Sequence, residues 1–199
     1  MPELIGVSKR FGEKTVLDGF SLRAPEDRVI CLFGPSGCGK TTILRLMAGL
    51  LAPDSGRALR GRTRCSFLFQ EDRLLPWASA LENLTAVGVS PQRAREALAQ
   101  VGLADEERAL PASLSGGMRR RLAIARAAAY GGEYLFLDEP LRGLDEGTAQ
   151  RALECLRGAL RGRGGLLITH SPEEARLLAD EVVVLEGPPV KIKICKTAR

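Results

Sequence analysis

One stretch of the sequence has the residue types and spacing of a phosphate-binding loop. Residues 34–42 read GPSGCGKTT, which fits the pattern G-x-x-x-x-G-K-[ST]. In such a loop the backbone N–H groups turn inward around phosphate oxygens, which glycine allows because it has no β-carbon. Lys40 would place a positive charge on the β- and γ-phosphates, and the Thr41 hydroxyl would ligate Mg²⁺. The stretch therefore predicts a nucleotide site.

A second group of chemically active residues ends an apolar run farther along the chain. Residues 134–140 read YLFLDEP, so Asp138 and Glu139 stand where a buried strand would emerge. Asp138 can hold Mg²⁺ through water, and Glu139 can polarise a water for in-line attack on a γ-phosphate. The alternative is a pair of surface acids without a catalytic role.

Strands and helices alternate along the chain and must position these residues. Residues 28–33 predict a strand that leads into the glycine loop, and residues 43–51 take up helical spacing after it. Residues 78–100 predict helix, with Pro91 at a helix start, and the tail VKIKICK predicts an edge strand or a frayed end. LSGGMRRRLAIARA at 114–127 begins another helix, whose three arginines we expect to be mostly solvated or at an interface. The order predicts an α/β sheet that is largely parallel.

The composition argues against a nucleic-acid-binding surface, a zinc site and a membrane-spanning segment. The 199 residues carry a net charge of +5 that is scattered along the chain, which favours a solvated surface over a nucleic-acid footprint. The five cysteines form no CxxC pair and there is one histidine, so we expect no zinc site and a reducing compartment. No apolar run approaches the length needed to span a bilayer.

Five further motifs follow the glycine loop in a fixed order: FQED, LSGGM, FLDEP, GLDEG and ITHSPEEA. Together they resemble the ATP-binding subunit of ABC transporters, from Val7 to about Gly187. The resemblance implies a P-loop NTPase (RecA-like) core with a mixed, mostly parallel sheet, an N-terminal antiparallel β region and a compact α-helical subdomain. It implies one ATPase domain over 1–199, with the core at about 1–77 and 128–199 and the helical subdomain at about 78–127.

The resemblance also implies roles for individual residues. Phe11 would stack on adenine, the lesser alternative being that it fills the core, and Gln70 would contact Mg²⁺ or the attacking water. His170, at the end of the LLITH strand, would hydrogen-bond the γ-phosphate. Asp145 would bridge two subunits, and the segment Ser115–Gly117 would face a phosphate bound by the other subunit.

The predicted site residues fall into three groups. The catalytic residues are Glu139, His170, Gln70 and Lys40. The nucleotide-binding residues are Phe11, Val16, Gly34, Pro35, Ser36, Gly37, Cys38, Gly39, Lys40, Thr41, Thr42, Ser115, Gly116, Gly117 and Asp145. The Mg²⁺ ligands are Thr41, Gln70 and Asp138. Met118 departs from the glutamine that is usual in the family, and we expect the site to tolerate it.

The resemblance implies an ATP hydrolase that powers solute import through ATP-driven closure of a homodimer or pseudo-dimer. The segment EDRLLPWASALENL resembles importers of nitrate, taurine, aliphatic sulfonates and thiamine precursors. Within the region Gln70–Leu84 we expect Leu74, Leu75 and Trp77 to contact a membrane permease, the alternative being that they pack internally. The implied location is peripheral, on the cytoplasmic face of the inner membrane, with an extracytoplasmic solute-binding protein in the complete system and no nucleic acid.

Two other function classes fit the sequence less well. An ABC ATPase that acts on nucleic acid or chromatin would typically carry a long inserted coiled coil or two ATPase domains, and the sequence has neither. A binding module that no longer hydrolyses ATP is disfavoured because Lys40, Asp138, Glu139 and His170 are all present.

Overall fold

The computed structural model describes residues 1–59 and 64–197, and the chain divides into two units. The first unit comprises Met1–Cys65, Glu133–Asp138 and Gly162–Arg199, and the second comprises Ser66–Gly132 and Glu139–Arg161. The division into a core and a helical subdomain at about 78–127 stays a prediction. Within the described residues no helix is long and apolar enough to cross a bilayer.

The first unit contains a three-stranded antiparallel sheet, which confirms the N-terminal β region expected from the sequence. Its strands are β1 (Glu3–Phe11), β2 (Lys14–Arg23) and β4 (Ser55–Leu59), in the order β2-β1-β4. Phe11 pairs with Lys14 across a two-residue turn that begins at Gly12. β4 was missed at the sequence level because its residues, SGRAL, are mostly exposed and lack an apolar face.

The larger sheet of the first unit is mostly parallel, as predicted. Its strands in this unit are β3 (Val29–Phe33), β6 (Tyr134–Asp138), β7 (Gly164–Ile168), β8 (Glu181–Glu186) and β9 (Lys191–Thr197). They lie in the order β6-β7-β3-β8-β9, and only β9 runs antiparallel, as an edge strand. Every residue of β6 and β7 is buried, which is typical of strands covered on both faces. Helices α1 (Lys40–Met47) and α6 (Pro172–Leu178) belong to the same unit.

The second unit is predominantly helical. Strand β5 (Cys65–Leu68) leads into it, and its helices are α2 (Ala80–Thr85), α3 (Pro91–Gln100), α4 (Gly116–Tyr130) and α5 (Glu146–Leu160). Short 3₁₀ turns occupy Ala104–Glu106 and Pro111–Ser113. The helical pattern predicted for 78–100 is broken between α2 and α3, where Gly88 has a φ of 87° and Pro91 opens the new helix.

A side-chain oxygen caps the start of each of these four helices. The capping residues accept the backbone N–H three positions along: Ser79, Ser90, Ser115 and Asp145. Each cap satisfies one of the amides that a helix leaves without an internal partner, which stabilises the helix by about 1 kcal/mol. At α2 the cap is reciprocal, because Glu82 accepts the Ser79 N–H at 2.7 Å and returns its own N–H to the Ser79 hydroxyl.

Asn83 of α2 organises the loop that precedes its own helix. Its side chain is fully buried and donates to the carbonyl oxygens of Leu75, Ala78 and Ser79 at 3.2, 2.9 and 3.0 Å. Its amide oxygen accepts the Leu75 N–H at 2.8 Å. The side-chain amide of Asn83 thus provides hydrogen-bond partners for backbone groups of the loop between Leu75 and Ser79.

Replacing Asn83 by alanine should therefore destabilise the protein. Asn83→Ala leaves buried backbone groups without partners, and we expect the free energy of unfolding to fall by about 3 kcal/mol in urea titrations. The control Gln92→Ala removes an exposed amide on α3 and should change stability by no more than about 0.5 kcal/mol. Equal losses in the two variants would contradict this role for Asn83.

Candidate nucleotide site

The backbone of the phosphate loop approaches its surroundings too closely for a side chain at two positions. A β-carbon at Gly34 would lie 2.5 Å from the carbonyl oxygen of Leu185 in β8. A β-carbon at Gly39, whose φ is 115°, would lie 2.6 Å from Val190 Cγ2 and 2.9 Å from Val16 Cγ1. Glycine is required at both ends of the loop, and the predicted residue Val16 is part of the surface against which the loop packs.

Lys40 is held inside the loop by backbone carbonyls. It is the first residue of α1, only 6% exposed, and its Nζ donates to the carbonyl oxygens of Gly34 and Pro35, both at 2.8 Å. Gly39 is the N-cap residue of α1 and no side-chain hydrogen bond caps this helix start, so no side-chain oxygen takes up its first amides. A buried cation beside a helix N-terminus makes this loop a site for anions.

Two of the three predicted Mg²⁺ ligands meet in the first unit. The Thr41 hydroxyl donates to Asp138 Oδ2 at 3.2 Å, and Asp138 is 5% exposed at the end of β6. Hydroxyl and carboxylate oxygens suit Mg²⁺, which usually takes few protein ligands and completes its shell with phosphate and water. Over the part of the chain that the structure describes, no cluster of three His, Cys, Asp or Glu side chains forms a metal site. The residues therefore fit a Mg²⁺ that is shared with nucleotide phosphates.

The strand register brings the chemistry of the first unit to one edge of the sheet. β7 lies between β3 and β6, and its last residue, Ile168, pairs with Leu32 on one side and with Asp138 on the other. The three strands are parallel, so their carboxyl ends lie side by side. Open parallel sheets bind ligands at this edge.

His170 follows the end of β7 instead of ending the strand. The strand stops at Ile168, and His170 lies exposed two residues beyond it. Thr169 fixes the turn, because its hydroxyl donates to Glu174 Oε2 at 2.7 Å and accepts the Ser171 N–H at 3.0 Å. The histidine is presented at the same edge of the sheet as the phosphate loop and Asp138.

The other residues of the first unit that were predicted to bind the nucleotide differ in solvent exposure. Pro35, Ser36 and Gly37 are exposed at the tip of the loop and Thr42 is half-buried, whereas the Cys38 side chain is fully buried. Cys38 can therefore offer a ligand its backbone but not its thiol. The ring of Phe11, at the end of β1, is half exposed and lies 5.7 Å from Lys9 Nζ. An exposed ring argues against Phe11 as core filling.

In the second unit, Glu139 has an unusual backbone. Its φ is 49°, in the left-handed region that residues with a β-carbon avoid. Its carboxylate Oε2 accepts from Arg142 Nη1 at 3.0 Å, and its carbonyl oxygen accepts from Arg120 Nη2 at 2.7 Å. The Glu139 carboxylate thus extends from a turn whose backbone accepts a hydrogen bond from Arg120.

Gln70 lies in the second unit, two residues after β5, and is exposed. Its backbone oxygen is 3.4 Å from Arg120 Nη1, which also donates to the carbonyl of Phe69 at 2.6 Å. The segment after β5 and the turn at Glu139 therefore share one arginine.

The expectation that the three consecutive arginines are mostly solvated or at an interface is wrong for Arg120, whereas Arg119 and Arg121 are half-buried. Arg120 is 4% exposed, Arg119 donates to the carbonyl of Leu114 at 2.6 Å, and Arg121 donates to that of Val101 at 2.6 Å. All three guanidinium groups bind backbone carbonyls of their own unit, because buried carbonyls outside helices and strands need donors.

A sequence signal for the buried arginine does exist. Arg120 lies on the same face of α4 as Ala123, Ile124 and Ala127, all buried. These positions are i+3, i+4 and i+7, the spacing of a core-facing stripe. The apolar pattern therefore indicates burial of Arg120, although it does not indicate the acceptors.

The segment Ser115–Gly117 forms the start of α4. Ser115 caps the helix by accepting the Met118 N–H at 3.2 Å, which leaves its hydroxyl proton as a donor, and Ser115 and Gly116 are exposed. Asp145 caps α5, and hydrogen bonds from the Thr148 hydroxyl and amide lower the pKa of its carboxyl. Both predicted groups lie at helix starts on the surface of the second unit.

Known proteins match this chain over most of its length. The family model described as ABC transporter matches residues 17–142. The aliphatic sulfonates import ATP-binding protein SsuB 1 of Mesorhizobium japonicum is 43% identical over 95% of this chain and 77% of its own length. The taurine import ATP-binding protein TauB of Pseudomonas aeruginosa is 38% identical over 94% of this chain and 78% of its own.

Solved structures agree with the sequence relatives. The dimeric post-hydrolysis structure of the ATP-binding cassette MJ0796, bound to ADP and Pi, superposes with a TM-score of 0.88 and 26% identity. The match covers 100% of this chain and 99% of that one. Together with the family match over most of the chain, this similarity shows that the chain belongs to the ABC transporter family.

Proposed function

We propose that this protein is the ATP-binding and ATP-hydrolysing subunit of an ABC importer. The observation that carries the proposal is the pairing of Thr41 with the buried Asp138 beside the loop that encloses Lys40. This arrangement supplies a cation, amide donors and oxygen ligands for a nucleoside triphosphate at one sheet edge. The relatives named as import ATP-binding proteins support the direction of transport.

In the proposed complex the phosphates bind in the loop at 34–42 and the exposed Phe11 ring stacks on adenine beside Val16. Thr41, Asp138 and Gln70 would hold Mg²⁺, which neutralises charge on the phosphates and polarises the bond that breaks. Lys40 would exchange its two carbonyl acceptors for phosphate oxygens, a stronger charge-assisted interaction.

Glu139 is the proposed base of the reaction. It follows Asp138 directly in the chain, so a carboxylate that polarises water is linked covalently to a residue of the phosphate site. The water attacks the γ-phosphate in line, ADP leaves, and inorganic phosphate carries the new oxygen. His170 hydrogen-bonds the γ-phosphate, and Gln70 contacts the metal or the attacking water.

Removing the Glu139 carboxylate should stop turnover without preventing ATP binding. We expect Glu139→Gln to lower steady-state ATPase activity about 100-fold or more and to accumulate an ATP-bound dimer in size-exclusion chromatography. The control Glu133→Gln neutralises an exposed carboxylate just before the other end of β6 and should retain wild-type activity. An undiminished rate in Glu139→Gln would overturn the assignment of the base.

The Ser115–Gly117 segment is the proposed second half of each nucleotide site. We infer a head-to-tail homodimer or pseudo-dimer, in which each ATP lies between the phosphate loop of one subunit and this segment of the other. The exposed helix start provides a hydroxyl and amide donors for a phosphate. The dimeric MJ0796 structures support the formation of a dimer. ATP would close the pair and hydrolysis would open it.

Two inactive variants should complement each other if the site is shared. Lys40→Ala removes the cation of the loop. Gly116→Asp adds a negative charge where a β-carbon would meet only Arg119 Nη2, at 4.0 Å. Each should be inactive alone, whereas an equal mixture should recover about one quarter of wild-type ATPase, because half of the dimers are mixed and each has one intact site. A mixture as inactive as its components would contradict the shared site.

The region Gln70–Leu84 is the proposed docking region for a membrane permease. Trp77 is 76% exposed, so it does not pack internally, whereas Leu74 and Leu75 are half-buried. A large exposed ring beside partly exposed leucines is typical of an interaction site. We propose a peripheral subunit on the cytoplasmic face of the inner membrane, working with a permease and an extracytoplasmic solute-binding protein. The named relatives favour aliphatic sulfonates or taurine as the solute.

Uptake by whole cells tests the docking region and the solute together. In a strain that lacks this gene, the wild-type gene should restore uptake of labelled taurine or an alkanesulfonate. Trp77→Ser should not, because loss of a central aromatic contact weakens such interfaces by about 2 kcal/mol. Purified Trp77→Ser should keep its ATPase activity. The control Leu50→Ser alters another exposed apolar residue, in the first unit, and should support uptake. Normal uptake with Trp77→Ser would exclude the proposed docking residue.

A further inference from the structure

Arg120 joins two segments of the second unit that the proposed function uses separately. On one side its Nε donates to the carbonyl of Pro140 at 2.9 Å and its Nη2 to that of Glu139 at 2.7 Å. On the other side its Nη1 donates to the carbonyl of Phe69 at 2.6 Å and lies 3.3 Å from Asp72 Oδ1. The side chain is 5% exposed, so these bonds form away from solvent.

The contacts to Glu139 and Pro140 bear directly on the backbone of the proposed base. Two successive carbonyl groups are held by different nitrogens of one rigid guanidinium plane, which fixes the orientation of the peptide groups on both sides of Pro140, including the one that follows Glu139. Glu139 has its φ at 49°, a conformation that persists only when the surroundings enforce it. Arg120 holds the peptide group that follows Glu139, and it does so from the buried face of α4.

We propose that Arg120 is a positioning residue for ATP hydrolysis: it holds the Glu139 backbone in the left-handed conformation that aims its carboxylate, and it links that conformation to the segment Phe69–Asp72. The inference rests on the proposed function, in which Glu139 is the base. A change in the segment that carries Gln70 is then transmitted through one guanidinium group to Glu139. The carboxylate of Glu139 accepts a hydrogen bond from Arg142, whose side chain is exposed, and Arg120 contacts the Glu139 backbone.

The neighbouring Arg121 provides a matched control. It lies one residue along the same helix, and its Nη1 donates to two successive carbonyls, those of Val101 and Gly102, at 2.6 and 3.1 Å. These carbonyls belong to neither the Gln70 nor the Glu139 segment. A lysine at either position keeps the positive charge but loses the planar fork that binds several acceptors at once.

The first experiment compares Arg120→Lys with Arg121→Lys. We expect Arg120→Lys to lower kcat about 10- to 100-fold, since misplacing a catalytic group by about 1 Å has effects of this size. The KM for ATP should stay within about twofold, because the change affects a group that acts in the transition state and not in binding. Arg121→Lys should retain wild-type kcat. Rates are expressed per bound ATP, and urea unfolding is measured for both variants.

A double variant separates positioning from a general structural role. If Arg120 acts through the Glu139 carboxylate, Arg120→Lys should hardly change the residual rate of Glu139→Gln, because the group it positions is already absent. If Arg120 only supports the fold, the two losses should multiply. Multiplying losses, or a kcat for Arg120→Lys equal to that of Arg121→Lys, would overturn the inference.

The remaining outcomes are equally decisive. Should Arg120→Lys not fold, Arg120→Gln replaces it in the same comparison, and failure of both to fold assigns Arg120 to stability alone and overturns the inference. If Glu139→Gln is slow while Arg120→Lys is fully active, the positioning role fails and the proposed function stands. If Glu139→Gln itself is fully active, the proposed function fails first.

Discussion

The close packing of the phosphate-loop backbone against its neighbours is the constraint on which the first unit depends. Gly34 lies against the backbone carbonyl of Leu185, and Gly39 lies against the side chains of Val16 and Val190, so the loop has its conformation because of residues that are distant in the sequence. The parallel register then places the ends of β3, β7 and β6 in a row. The strand order therefore places Lys40, Thr41 and Asp138 at one edge of the sheet. Their side chains are those that binding of an anion with its metal ion requires.

The second unit contains two segments without regular structure, the one after β5 and the turn at Glu139, and each has a defined conformation. Arginines of α4 hold both segments by donating to backbone carbonyls. Arg120 binds the segment after β5 and the turn at Glu139, and Arg126 donates to the carbonyls of Asp72 and Arg73. Burial lowers the pKa of Arg126, yet the guanidinium group of an arginine stays protonated inside a protein. Guanidinium groups are suited to this role because one side chain satisfies several acceptors at once.

These two arrangements divide the proposed reaction between them. The first unit carries the cation, two of the three proposed metal ligands and His170, whereas the second carries Glu139, Gln70 and the exposed start of α4. In the proposal, the loop that binds the triphosphate and the carboxylate that activates water therefore belong to different units of the chain.

The sequence by itself determined those features of the fold and of the site that depend on residues close together in the chain. The glycine loop, the buried strands, the acidic strand end and the ordered motifs followed from residue type and spacing, and they predicted the fold class and the family. The start of α3 at Pro91 was predicted, whereas the weakly amphipathic strand β4 and the end of β7 at Ile168 were not, because tertiary packing overrides weak local preference. Only the tertiary structure showed that Cys38 is buried and that Arg120 binds carbonyls about fifty residues away, because hydrogen-bond partners so far apart in the sequence leave no pattern within it.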